Sequence, residues 1–244
     1  MWLNVFWIAF AWLLGGFVHG VTSIGGAMVA MPMLTFITGP KEAILIACIS
    51  SGIAPLALSI IYRKYILWKE MVWLSLGCIV GIPTGVAMLT RLSGPVLLLA
   101  IGVMLMFFVA WQFLSHKVQA SLPYHPATAL AVGIVGAFLT AGTSLGGPAM
   151  AVYTTFRGWE QKTALATTSM YFNFVNGSII LMQWKAGLYT DAVYDAVTVS
   201  LTFGVIGVLI SIPVVRHMPQ ETFRKLLLLM IFISGALLVG RSVL

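Results

Sequence analysis

The chain has 244 residues, 60% of them hydrophobic and 8% charged, with a formal net charge of +7 and a mean hydropathy of +1.04. These values exclude a soluble globular domain, so the excess of Lys and Arg reads as topology signals and headgroup anchors rather than as a nucleic-acid surface. Apolar runs of about 20 residues recur throughout, as a helix needs to cross a hydrocarbon core of roughly 30 Å, and runs such as 97–113 lack the alternation of a transmembrane barrel.

In chain order, the first predicted unit covers residues 3–38 and opens on an apolar stretch with no preceding Lys or Arg and no small-residue cleavage site. It therefore reads as a retained segment and not as a secretory signal. Near its middle stands Thr22-Ser23-Ile24-Gly25-Gly26, a hydroxyl pair and two glycines where an uninterrupted helix would favour neither. Three predicted crossings follow, at 43–62, 71–90 and 94–115. The polar stretch 116–126 is the one connector with linker composition. A second long unit, 126–156, carries Thr143-Ser144-Leu145-Gly146-Gly147, and crossings are predicted at 163–184, 192–215 and 222–240.

The two halves repeat. At one constant displacement Thr22, Ser23, Gly25, Gly26 and Ala30 meet Thr143, Ser144, Gly146, Gly147 and Ala151, and Lys41 meets Lys162. Later the register drifts, with Gly81-Ile82-Pro83 resembling Ser211-Ile212-Pro213. The expected domains are a first transmembrane repeat at 1–120 and a second at 121–244. If each motif-bearing unit enters and returns on one side, one face collects Arg63, Lys64, Lys69, Lys117, Arg157, Lys162, Arg216, Arg224 and Lys225. The other keeps Lys41, Arg91, Lys185 and Arg241. This bias favours a re-entrant arrangement with both termini on the periplasmic side, whereas eight full crossings give none. Three crossings per half is an odd number, so the halves become inverted repeats, an arrangement that places a binding site where broken elements meet. The fold class is therefore all-α and polytopic, two inverted repeats, each a re-entrant or broken helical hairpin plus three transmembrane helices.

Backbone is non-helical at membrane depth only where protein or a watery cavity satisfies it. Two half-helices, at 27–38 and 148–156, begin after the glycine pairs, and Pro148 suits a first helical position. Their free N–H groups and dipoles favour an anion. The candidate substrate-binding residues are Thr22, Ser23, Gly25, Gly26, Thr143, Ser144, Gly146 and Gly147, with Asn173 as a lining residue. The alternative for each motif is close helix packing by small residues, and for Asn173, Asn176 and Gln183 it is interhelical hydrogen bonding. His19, whose counterpart is Thr140, is the proton-coupling candidate, because an unperturbed imidazole titrates near pH 6.5; a neutral histidine bonded within the hairpin is the competing reading. Cys48 and Cys78 read as buried packing, and no metal site or cofactor is expected.

An enzyme is disfavoured. Gly142-Thr143-Ser144-Leu145-Gly146 fits the G-x-S-x-G pattern of a hydrolase nucleophile, but that motif needs a strand, a sharp turn and a helix. An intramembrane serine protease would pair one serine with His19, and the duplication of the serine argues against a single dyad. No nucleotide-binding loop of the G-x-x-x-x-G-K-[ST] kind is present.

The residues "TSIGGAMVAMP", "GTSLGGPAMAVY" and "KTALATTSM" resemble the sulfite-exporter TauE/SafE family of bacterial anion transporters, over essentially the whole chain. The resemblance implies transport of a sulfur-containing anion, sulfite or an organosulfonate such as sulfoacetate. The combined reading is an inner-membrane secondary transporter working by alternating access, with the lipid bilayer and a small anion as its partners. Self-association, an anion channel of the same architecture, and transport of another small organic anion stay open.

Overall fold

The computed structural model describes residues 2–22, 25–115, 122–215 and 220–243. All regular structure among them is helical. The order is α1 (Trp2–Thr22), α2 (Gly26–Ile37), α3 (Pro40–Ser50), α4 (Ile53–Ile61), a 3-10 turn at Arg63–Tyr65, α5 (Trp68–Arg91), α6 (Gly94–Ser115), α7 (Pro126–Thr143), α8 (Gly147–Arg157), α9 (Gln161–Lys185), α10 (Asp191–Val215) and α11 (Gln220–Val243). Helices break at both quoted motifs, as the glycine pairs predict. At 1.5 Å per residue α2 and α8 are only about 18 and 16 Å long, too short to cross alone.

Five stretches among the described residues are long and apolar enough to cross a membrane: Pro40–Ile61, Trp68–Arg91, Gly94–Leu114, Pro126–Thr143 and Asp191–Ser211. The chain is thus an all-α polytopic membrane protein. The first of these stretches was expected to be one continuous helix, yet it breaks between α3 and α4. Pro55 has no N–H to offer the carbonyl of Ser51, and Ser51-Gly52 has weak helix preference, so the chain restarts with Leu56 N–H donating to Gly52 O at 3.2 Å. In contrast α9 is long enough to cross but is rich in Thr, Ser, Asn and Gln and is not among the five.

The chain forms two compact units that do not coincide with its halves. One comprises Met1–Ser50, Leu92–Val109 and Tyr189–Leu244, and the other Ser51–Arg91 and Ala110–Leu188. Each takes the motif hairpin of one half and the fifth or tenth helix of the other. In the first unit α1 packs chiefly on α10 and on α2; in the second α7 packs chiefly on α5, with α4 and α5 against α9.

These two principal pairings are built alike at residue level. A Cβ on Gly81 would overlap the carbonyl of Ile134 and lie 3.0 Å from the Phe138 amide nitrogen. One on Gly207 would overlap the carbonyl of Leu13 and lie 2.8 Å from the Phe17 amide nitrogen. Leu13 and Phe17 are the repeat counterparts of Ile134 and Phe138. Likewise Gly85 faces Ala141, and Ser211 faces Gly20. The contacts thus align Gly81 with Gly207 and Gly85 with Ser211, which replaces the register suggested by the two Ile-Pro triplets. Backbone meets backbone because no side chain intervenes, the close approach that small residues permit between membrane helices.

Candidate functional site

In the second unit the motif forms a buried turn between α7 and α8. Thr143 Oγ1 donates back to Leu139 O at 2.7 Å, and Thr140 Oγ1 to Gly136 O at 2.6 Å, so both threonine hydroxyls serve their own helix. Ser144 then takes the left-handed conformation, φ 60° and ψ 17°, while its N–H donates to Thr140 O at 2.8 Å. It is the one non-glycine with positive φ among the described residues, and the conformation costs an L-residue roughly 1–2 kcal/mol. Its hydroxyl is buried and has no hydrogen-bond partner among the described residues.

Gly146 has an ordinary φ of −74°, so its lack of a side chain answers close packing rather than backbone freedom. A Cβ there would overlap Thr140 Oγ1 and lie 3.2 Å from the ring of Phe172 on α9. Gly147 begins α8, is partly accessible, and is followed by Pro148 in the first turn. The first intrahelical bond reaches only from Met150 N–H to Gly146 O, at 3.4 Å. Hence the amides of the first turn remain free of intrahelical partners, at the positive end of the helix.

In the first unit Gly25, with φ 110° and ψ 2°, is left-handed where its counterpart Gly146 is not, and α2 starts at Gly26. Val29 N–H donates to Gly25 O at 3.2 Å. A Cβ on Gly26 would lie 2.9 Å from Gly15 O, 3.0 Å from His19 Cβ and 3.3 Å from His19 Nδ1, so His19 stands directly against the turn. Its Nε2 is buried with no hydrogen-bond partner among the described residues. Thr22 closes α1, and Ser23 lies outside the described residues.

Asn173 is engaged elsewhere than at the motif. Its Nδ2 donates to Pro55 O at 3.2 Å and to Ser59 Oγ at 2.8 Å, tying α9 to the restarted helix α4. Asn176, one residue short of a turn further on, is buried with Oδ1 unpartnered among the described residues. Phe172, which reaches Gly146, lies four residues before Asn176 on the same face of α9.

One polar cluster was not anticipated from the sequence. At the far end of α8, Arg157 Nη2 lies 2.5 Å from Glu70 Oε1 and Nε 3.2 Å from the same oxygen, while Tyr153 OH donates to Glu70 Oε2 at 2.5 Å. Arg157 Nη1 also donates to Leu122 O. Partners 87 residues apart leave no local spacing to read, and Arg157 had passed as one charge among the topology signals.

A strandless turn between two helices does not present Ser144 as a hydrolase nucleophile. Each unit of the polytopic chain thus carries a half-helix whose leading amides are free of intrahelical partners. Broken helices of this kind are a recurring feature of membrane transporters. Consistently, the sulfite exporter TauE/SafE family profile matches residues 8–238, and the chain belongs to that family. No curated protein and no solved structure matches it.

Proposed function

We propose that the chain is a secondary transporter of the bacterial inner membrane that moves a small sulfur-containing anion, sulfite or an organosulfonate such as sulfoacetate, by alternating access. The two halves run as inverted repeats with periplasmic termini, and Thr22, Ser23, Gly25, Gly26, Thr143, Ser144, Gly146 and Gly147 contact the anion, chiefly through backbone amides. Asn173 supports them by holding α9 against α4. The observation that carries the reading is the Ser144 hydroxyl, buried without a partner in a left-handed turn at the free-amide end of α8. An orphaned buried hydroxyl costs about 1–3 kcal/mol, and an oxyanion seated on the first turn of α8 would offset that cost.

His19 is the proposed proton-coupling group. It touches the turn at Gly26, and neither α2 nor the rest of α1 carries another titratable side chain. On α10 the acidic residues Asp191 and Asp195 and the phenol of Tyr194 stand in the first turns. They are about 20–25 Å along the helix from the Val208–Ser211 stretch that meets Gly20. Protonation of His19 would strengthen anion binding, and its loss would favour release.

Reconstitution into liposomes tests the function. Saturable sulfite uptake that drives counterflow against a sulfite load is expected; flux without counterflow would identify a channel, and no response to any sulfonate, sulfite or thiosulfate would remove the sulfur-anion reading. Cysteines placed at Lys41 and Lys162, with Cys48 and Cys78 replaced, should react with an impermeant reagent from opposite sides. Labelling from one side would contradict the inversion.

A further inference from the structure

The cluster at the end of α8 ties three separate pieces of the second unit together. Glu70 belongs to the first turn of α5, Tyr153 and Arg157 to α8, and Leu122 to the segment ahead of α7. Glu70 is buried, 5% exposed, and Arg157 is partly accessible, 14% exposed. Glu70 accepts from Tyr153 through one oxygen and from Arg157 chiefly through the other, so both carboxylate oxygens are satisfied. Surrounding rings fix the geometry further. Tyr153 and Trp159 meet edge to face at 5.5 Å, and the Arg157 guanidinium lies 5.7 Å from the centre of the Tyr124 ring. Lys69 approaches that ring at 5.1 Å, and Leu122 N–H donates to Phe156 O at 2.8 Å.

Half-helix α8 is short and begins on a weak bond, so little within it resists fraying or tilting. The corresponding end of α2 is built from other groups: Arg157 aligns with Phe36, which is exposed and carries the Arg241 guanidinium 4.6 Å from its ring centre. Removing one partner of an ion pair such as Glu70 and Arg157 leaves a charge uncompensated, whereas removing both is often neutral.

We infer that Glu70, Tyr153 and Arg157 form a clamp that fixes α8 at the end opposite its free amides, making them positioning residues for anion binding. This rests on the reading that the first turn of α8 contacts the anion. The clamp holds the helix axis, and the axis aims the amides.

The test compares wild type, Glu70→Gln, Arg157→Gln, Tyr153→Phe and the double variant Glu70→Gln/Arg157→Gln in liposomes of one composition. The probe is sulfite, and hydrogen exchange is followed by mass spectrometry. Single charge removals leave the remaining charge without its partner and are expected to lower the melting temperature, whereas the double variant removes both charges and recovers it. In the double variant the clamp hypothesis expects exchange in residues 149–157 to stay about tenfold or more above wild type, with α1, α2 and α7 unchanged. It also expects KM for sulfite to stay raised by a similar factor, with maximal flux within about twofold. Tyr153→Phe should give the same pattern more weakly. If α8 exchange and KM recover together with melting temperature in the double variant, the cluster is merely structural and the inference fails. If α8 exchange rises but the wild type itself neither binds nor moves sulfite, the clamp stands and the anion reading falls.

Discussion

The two broken hairpins share a sequence motif but not a construction. In α1–α2 Gly25 is left-handed, whereas its counterpart Gly146 in α7–α8 has a φ of −74° and follows the left-handed Ser144. Pro32 lies inside α2, where its missing N–H weakens the middle of the helix, while Pro148 lies in the first turn of α8 and costs nothing there. At its far end α8 is fastened to Glu70, and α2 ends near an exposed phenylalanine. What both hairpins keep is a chain break followed by a half-helix with free leading amides. The duplicated motif thus keeps a chain break ahead of a short helix while each copy reaches it by different local means.

The sharpest test of this difference removes one contacting group at each half-helix end. Glu70→Leu leaves the partly accessible Arg157 without its carboxylate and Tyr153 without its acceptor, and should cost about 3 kcal/mol. Phe36→Leu, which removes only a cation–π contact at an exposed ring, should cost under about 1 kcal/mol. Thermal unfolding in a fixed detergent measures both, and similar losses would remove the asymmetry.

Next in size are the helix pairings that the units share. Gly81→Leu and Gly207→Leu each force a side chain into backbone, and each should cost about 3 kcal/mol. Equal effects support the residue-level equivalence of the two pairings. A large loss at one and none at the other would break it.

Much of this architecture was legible in the sequence. Apolar runs of crossing length, the duplicated glycine pairs and Pro148 fall where helices, breaks and a helix start are found, because solvent exclusion and backbone chemistry act locally. The break at Ser51-Gly52 was missed, since the apolar pattern runs through it and its cause, Pro55, reads as a tolerated proline in a membrane helix. Glu70 and Arg157 were illegible as a pair because only the tertiary fold joins them. Asn173 looked like a lining residue by polarity alone, and its bonds to Pro55 and Ser59 could be read only once α4 was seen to restart beside α9. At Ser144 the sequence offered a hydroxyl, and the fold added the conformation that leaves it unpartnered.

Asn173→Leu removes two hydrogen bonds between α9 and α4 and should destabilise by about 1–2 kcal/mol. KM for sulfite should change in step with the melting temperature. A selective change of substrate preference at unchanged stability would return Asn173 to the site itself.

Smallest and most diagnostic is Ser144→Gly. Glycine accepts the left-handed conformation and removes the orphaned hydroxyl, so the fold should gain about 1 kcal/mol. Sulfite affinity should fall by about 0.5–1.5 kcal/mol if the hydroxyl donates to the anion. A gain in stability with unaltered affinity would make Ser144 a turn residue only.

The most direct measurement of the central claim is calorimetric titration of sulfite into purified wild type and Gly147→Val, each checked by thermal unfolding. Gly147 is the partly accessible first residue of α8, so a valine there adds bulk beside the free amides. The account predicts saturable sulfite binding by the wild type and its loss in Gly147→Val at an unchanged melting temperature. Equal binding by both proteins would contradict it.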